Sequence, residues 1–247
     1  MTGSLHQILN ITRSGMVTQM LNLDVISNNL ANVNTTAFKQ SRANFQEILD
    51  AQSGLSGTQL RSTTFLMEQG SINHSSSPLD VAIEGEGFFM VTTADGETGY
   101  TRDGHFMLDE DENIVTAGGQ RLQWSGTLPA DAEDILISAD GTVSVRQGDA
   151  WNEIGSIALA RFPNATALTE SGGNIWLESE VSGAAEVGTP GSDGFGSLLG
   201  YALEQSNVNY ADQMARMITL QRGFEMSIQS FQQTDQMIAL AISMRQG

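Results

Sequence analysis

Both ends of this chain carry helical stripes, and the acidic residues crowd between them. The N-terminal stretch places Leu5, Leu9, Thr12, Met16, Met20, Leu23, Ile26, Leu30 and Val33 at steps of three or four. The C-terminal stretch repeats the pattern with Met214, Met217, Gln221, Phe224, Ile228, Phe231, Asp235, Ile238 and Ile242. Residues at that spacing share one side of a helix, and a repeat near 3.5 suits a coiled-coil seam. Two such helices at opposite termini imply ends that pack together or against neighbouring copies. That is the pattern of an assembling protein rather than of a catalyst.

Charge sharpens the division. Residues 1–50 hold Arg13, Lys39 and Arg42 against Asp24, Glu47 and Asp50, and residues 206–247 hold Arg216, Arg222 and Arg245 against Asp212, Glu225 and Asp235. Both ends are therefore neutral, and the net charge of −18 lies in residues 51–205, as 23 acids against 5 arginines. Neutral ends crowd at little Coulombic cost, while an acidic middle prefers solvent and repels its copies. The arrangement favoured is ends inside and middle outside. Nucleic acid is not an expected partner, because no basic patch is present to displace phosphate counterions.

A chain of 247 residues suits one or two domains. Its hydrophobic content of 40% is adequate for folding, while 26 glycines and 6% aromatic residues point to many turns. No apolar run approaches the roughly 18 residues that span a membrane, so direct insertion is not expected. No basic start leads into an apolar core and a small-residue cleavage site, so a cleaved secretory signal is not expected either. With no cysteine, disulfides and thiolate metal sites are excluded.

Ser4 with Gln7 three residues on reads as a capping box, opening a helix that runs to about Asn32, roughly 43 Å. Its end, Ser27-Asn28-Asn29-Leu30-Ala31-Asn32-Val33-Asn34, is rich in asparagine, which tolerates left-handed turns and competes for backbone hydrogen bonds. A short amphipathic segment is expected from Phe38 to Leu49, followed by a polar, loosely ordered stretch over residues 51–78. From Leu79 the period becomes that of strands. Asp95-Gly96, Asp103-Gly104, Gly118-Gly119 and Asp140-Gly141 supply turns among about eight of them. A second Gly- and Ser-rich stretch covers residues 170–200. The last helix is expected to start with Asn209 as N-cap and Asp212 in its first turn, and to reach Arg245, roughly 54 Å away.

The chain offers few chemical motifs. Asp109-Glu110-Asp111-Glu112-Asn113 starts like a calcium loop, but the required glycine and bidentate glutamate positions hold Ile114 and Gln120. Gly85-Glu86-Gly87 starts like a dinucleotide fingerprint, but Met90 takes the third glycine's place, between two strands. His6, His74 and His105 have no ligand spacing, and there is no Gly-x-Ser-x-Gly elbow. Carboxylate pairs for glycoside hydrolysis are defined by spatial distance, which sequence does not fix. No catalytic, cofactor or metal residue is therefore assigned. The classes competing with an assembly subunit are a β-domain enzyme with oligomerising tails and a secreted adhesin with coiled-coil ends.

Asn28-Asn29-Leu30-Ala31-Asn32, followed by Thr35, Phe38 and Lys39, resembles the N-terminal signature of bacterial flagellar axial proteins. The resemblance continues at Leu79-Asp80-Val81-Ala82-Ile83 with Gly85, Gly87, Phe88 and Phe89, and at Tyr100-Thr101-Arg102-Asp103-Gly104 with Phe106. It ends at Leu203-Glu204 and Ser206-Asn207-Val208-Asn209. The chain resembles the flagellar basal-body rod protein family. Phe38-Lys39 with Arg42-Ala43 and Phe45 is most similar to the distal-rod type; a proximal-rod paralogue or the hook protein is the alternative.

The resemblance implies an α+β fold, with residues 1–38 and 206–247 as a coiled-coil-like helical domain lining an inner tube. Residues 39–78 and 166–205 would connect it, largely extended, to a β-rich outer domain over residues 79–165. It implies a helical homopolymer that transmits torque from motor to hook. The implied partners are other rod, hook and ring proteins and the flagellar type III export apparatus. The implied location is the basal body, outside the cytoplasmic membrane. The assembly residues expected are Leu9, Met16, Leu23, Asn28, Asn29, Leu30, Asn32 and Phe38 near the first helix, and Met217, Phe224, Ile228, Phe231 and Ile238 on the last.

Overall fold

The structure is a computed structural model that describes residues 2–50, 55–129, 134–148, 150–192 and 194–246, with side chains described over 11–46, 61–129, 134–148, 150–192 and 194–237. The chain folds as α+β in two compact units. Residues 1–32, 41–65 and 208–247 form one, and residues 33–40 and 66–207 the other.

The first unit holds α1 (Thr2–Ala31), the hairpin β1 (Ser41–Asp50) and β2 (Leu55–Phe65), and α2 (Tyr210–Gln246). Ser4 lies inside α1 rather than at its N-cap. At the other end of α1 the Asn32 amide donates back to the carbonyls of Asn28 and Asn29, both at 3.2 Å, and its side chain donates to the Asn28 carbonyl at 2.9 Å. Asn209 caps α2 as expected, accepting from the Asp212 amide at 3.1 Å.

The hairpin corrects the expectations for its segment. Residues 41–50 form a strand where a short amphipathic element was expected, and residues 55–65 form its antiparallel partner rather than a loose stretch. The register runs from Ser41↔Phe65 to Asp50↔Leu55, with a shift between Asn44 and Phe45. Alternation is weak here because polar residues occupy both faces. The β-branched Thr58, Thr63 and Thr64 favour the strand, and pairing satisfies the backbone that a polar sequence would otherwise leave to water.

The second unit is the β unit. Its chain runs β3 (Ile72–His74), β4 (Val81–Glu84), β5 (Phe88–Thr92), β6 (Thr98–Thr101), β7 (Phe106–Leu108), β8 (Ile114–Thr116) and β9 (Arg121–Leu122). It continues with β10 (Asp134–Ile137), β11 (Thr142–Gln147), β12 (Ala150–Ser156) and β13 (Leu159–Arg161). The return stretch adds β14 (Thr169–Gly172), β15 (Ile175–Leu177), β16 (Glu186–Gly188), β17 (Ser197–Gly200) and β18 (Ala202–Glu204). The Gly- and Ser-rich residues 170–200 thus carry strands of the β unit.

A nine-stranded sheet has the order β14-β15-β6-β5-β9-β8-β7, with β13 pairing to both β5 and β16; β10-β11-β12 form a second sheet. Two further pairs, β17 with β4 and β18 with β3, join the return stretch to the start. Strand alternation is plain in β11, where Val143 and Val145 point inward, and in β10, where Ile135 and Ile137 do. In β4, by contrast, Val81, Ala82 and Ile83 are all buried, as a strand covered on both faces requires. Phe89 stacks edge-on to Phe106 at 5.2 Å within this core, and Tyr100 edge-on to Phe162 at 4.7 Å, geometries favoured by the ring quadrupole.

The turns follow their residues. At Asp95-Gly96 the Thr93 amide donates to the Glu97 carbonyl at 2.9 Å, and Gly96 takes a left-handed φ of 81°, which glycine adopts without strain. Gly104 serves a close approach instead. Its carbonyl accepts from the Val81 amide at 3.0 Å, and a Cβ there would lie 1.6 Å from the Val81 oxygen.

Candidate assembly face and buried clasp

In the helical unit the stripe residues are not buried alike. Met16, Leu23, Leu30, Asn32, Met217, Phe224 and Ile228 are half-buried, Asn28 is exposed, and Phe231 is 37% exposed. The side chains of Leu9 and Ile238 lie outside the described residues. Among the described side chains of α2, the buried ones are polar, Gln213 and Thr234. The approach to α1 falls at Ser227, whose hydroxyl donates to Gln19 Oε1 at 3.3 Å, and at Gly223, whose added Cβ would lie 3.2 Å from Gln19 Nε2. At this level the helices approach through small and polar residues. Large apolar side chains stay in solvent: Ile11, Val17 and Met20 on α1, and Ile218, Met226, Phe231 and Met237 on α2.

Asn29, from the family motif at the end of α1, makes a contact of its own within the subunit. It is 1% exposed and grips the start of β1. Its Oδ1 accepts from the Ser41 amide at 2.9 Å and the Ser41 hydroxyl at 3.1 Å, and its Nδ2 donates to the Ser41 carbonyl at 2.8 Å. Phe38 is buried too, but in the segment 33–40 that belongs to the β unit; the helical run ends at Ala31.

Within the β unit, the signature segments converge on a buried ionic clasp. Lys39 Nζ donates to Glu204 Oε1 at 2.5 Å and to the Glu68 carbonyl at 2.8 Å. Arg102 Nη1 reaches Glu204 Oε2 at 3.5 Å, and its guanidinium lies 5.2 Å from the centre of the Phe88 ring. The Gly70 amide also donates to Glu204 Oε1, at 2.9 Å. Gly70 has no room for a side chain, since a Cβ there would meet the Gln205 carbonyl oxygen at 2.0 Å. Burial pulls both Lys39 and Arg102 below their ordinary values, and the charge of Glu204 opposes that pull. One carboxylate therefore serves two buried cations and an amide.

Asn207 completes the clasp through its amide group. Its Oδ1 accepts from the Gln40 amide at 2.7 Å, and its Nδ2 donates to the carbonyls of Leu66 at 2.8 Å and Glu68 at 3.0 Å. The roles of Lys39, Arg102, Glu204 and Asn207 were missed by reading charge as solvation. The available signal was the scarcity of cations: Arg102 is one of five in residues 51–205, and it sits in a run of buried residues.

Two of the segments set aside from sequence hold local structure. The Asp109 carboxylate accepts from the amides of Asp111 at 2.9 Å and Asn113 at 2.8 Å; the hydrogen bonds to it, those of Asn113 foremost, hold its pKa below the ordinary carboxylate value. His105 Nδ1 lies 2.7 Å from Asp80 Oδ1, while the Ser75 hydroxyl donates to the other Asp80 oxygen rather than to the imidazole. Among the described residues, no group of three or more His, Asp or Glu is placed to hold a metal ion. No described helix is long and apolar enough to cross a membrane.

Comparison with known proteins agrees with this geometry. Residues 9–39 match the family model for flagella basal body rod proteins, residues 82–145 that for the flagellar hook protein FlgE/F/G D1 domain, and residues 200–244 that for the flagellar basal body rod FlgEFG C-terminal region. The matches contain Lys39, Arg102, Glu204 and Asn207. The chain is 38% identical to the flagellar basal-body rod protein FlgG of Caulobacter vibrioides, covering 97% of this chain and 99% of that one. It is 37% identical to that of Borreliella burgdorferi, covering 94% and 96%. The flagellar hook protein FlgE of Helicobacter mustelae is 41% identical, but over only 49% of this chain and 31% of its own. Full-length agreement with the rod proteins decides against the hook alternative: the chain belongs to the flagellar basal-body rod protein family, as a structural rod subunit of the distal-rod type.

Proposed function

We propose that copies of this chain polymerise helically through their terminal helices into the stiff rod that carries torque from motor to hook. The observation that carries the reading is the solvent exposure of Ile11, Val17, Met20, Ile218, Met226, Phe231 and Met237. They lie on termini whose charges cancel. Apolar area on that scale is stabilised when like helices of neighbouring copies cover it, and a head-to-tail contact whose rotation does not close makes an open helical array. In the polymer the terminal helices pair in a coiled-coil-like inner tube, and the acidic β unit faces outward.

The role is mechanical and needs no catalysis, cofactor or metal. The partners are further copies, other flagellar rod, hook and ring proteins, and the type III apparatus that exports the subunit to the basal body outside the cytoplasmic membrane. Electron microscopy of the concentrated purified protein tests the reading. Helical filaments are expected. Discrete closed oligomers, or a monomer at every concentration, would overturn it.

A further inference from the structure

The start of the β unit takes its strand partners from the unit's end. β4, with Val81, Ala82 and Ile83 fully buried, has β17 as its ladder partner, in the register Val81↔Gly200 to Glu84↔Ser197. β3 pairs with β18, from Ile72↔Glu204 to His74↔Ala202. Leu198 of β17 lies in the same core cluster as Val81, Ile83 and Phe89.

The polar contacts follow the same rule. Lys39 and Glu204 are 165 residues apart in sequence, Gly70 and Glu204 134, and Arg102 and Glu204 102. The Ala37 amide donates to the Glu204 carbonyl at 2.8 Å, and Asn207 ties Gln40 to Leu66 and Glu68. Without residues 197–207, Lys39 and Arg102 lose their carboxylate, β3 and β4 lose their ladders, and the core lacks Leu198.

Several other strands pair locally, although β13 also reaches back to β5 at Leu159↔Phe89 and β15 to β6 at Ile175↔Thr101. β5 and β6 close through the Asp95-Gly96 turn, β7 and β8 through Asp109–Asn113, and β10 to β12 follow one another in chain order. Local pairs incur little closure entropy, whereas pairs far apart in sequence form slowly. A buried cation without its carboxylate is strongly unfavourable, so the clasp is stable only once Glu204 has arrived.

We propose that residues 197–207 are the closing segment of the β unit. They dock as one cooperative last step, with Glu204 as the bolt, and until then β3, β4 and residues 37–40 stay unlocked. The device belongs to the subunit's own folding and does not depend on what the subunit assembles into.

Pulse-labelled hydrogen exchange during refolding of the full chain from denaturant tests this. Amides of β5, β6 and β10–β12 should gain protection first, and those of β3, β4, β17 and β18 together in a later phase. Glu204→Gln keeps the shape and removes the charge; it should lengthen the later phase about tenfold and leave the early one unchanged. If that variant does not fold, the order in the unaltered chain still decides. Protection of β4 alongside the early hairpins overturns the proposal, as does a Glu204→Gln chain whose later phase is unchanged.

Discussion

Asn29 holds Ser41 by three hydrogen bonds, to its amide, its hydroxyl and its carbonyl. A side-chain amide that meets both backbone groups of one residue acts like a strand partner, so the last turn of α1 sets where β1 begins. Asn29→Ala leaves the buried Ser41 amide and carbonyl without these partners, at a cost of about 1–3 kcal/mol. Denaturant titration should show that loss. An unchanged midpoint would mean that water or a backbone shift replaces the amide.

The clasp should respond unequally to loss of its members. Lys39→Met leaves Glu204 with Arg102 and the Gly70 amide, whereas Glu204→Met strands two buried cations. Breaking a buried pair costs about 3–5 kcal/mol, so both changes should destabilise the β unit, and Glu204→Met by more. Thermal unfolding of the two variants ranks them. A Lys39→Met protein less stable than Glu204→Met would show that Arg102 needs Glu204 less than the geometry implies.

Asp103 sets a pH dependence of known sign. Burial pushes its pKa above the ordinary carboxylate value, with Asp80 adding to the rise, while the backbone amide of His105 opposes it by donating to Asp103 Oδ1 at 3.0 Å. The native state therefore favours the protonated form. That contribution is present below the unfolded value and fades as pH rises through the raised native value. Asp103→Asn keeps an acceptor for His105 and cannot ionise. Its stability relative to the unaltered chain should be level in acid and grow as pH rises through the native value. A gap that is constant with pH would contradict this.

Much of this architecture was legible because it rests on local patterns. The stripes located both helices, Asn209 with Asp212 marked the start of α2, and Asp95-Gly96 marked a hairpin. Positions 41–65 were not legible as a hairpin, since Arg42, Asn44 and Gln46, and Thr64, Ser62 and Gln59 opposite them, carry no apolar alternation. Nor was the clasp, because Lys39, Arg102 and Glu204 meet only after the chain returns. Asn29 was named as an assembly residue through the family motif; within the subunit it also holds Ser41, in the next element. Periodicity says which side of a helix a residue occupies, and not what lies against that side.

The acidic middle gives assembly a salt dependence. With 23 acids against 5 arginines in residues 51–205, neighbouring β units repel, and added ions screen that repulsion within a Debye length of about 10 Å at 0.1 M. Polymer yield, measured by sedimentation, should rise as ionic strength rises from very low values. A steady fall would indicate that attractive ion pairs hold the main interface.

The central claim is that the exposed apolar side of the terminal helices joins neighbouring subunits. Phe231 is on the α2 stripe and 37% exposed, so Phe231→Asp should spare the β unit while placing a charge where a dry seam is expected. Loss of a buried phenylalanine costs about 3–5 kcal/mol in a core, and in a polymer the loss recurs in every copy. Electron microscopy of Phe231→Asp beside the unaltered chain, with thermal unfolding of both as the folding control, is the most direct measurement. The account predicts filaments from the unaltered chain and folded, soluble, non-polymerising subunits from the variant. Filaments of equal yield from Phe231→Asp would contradict it.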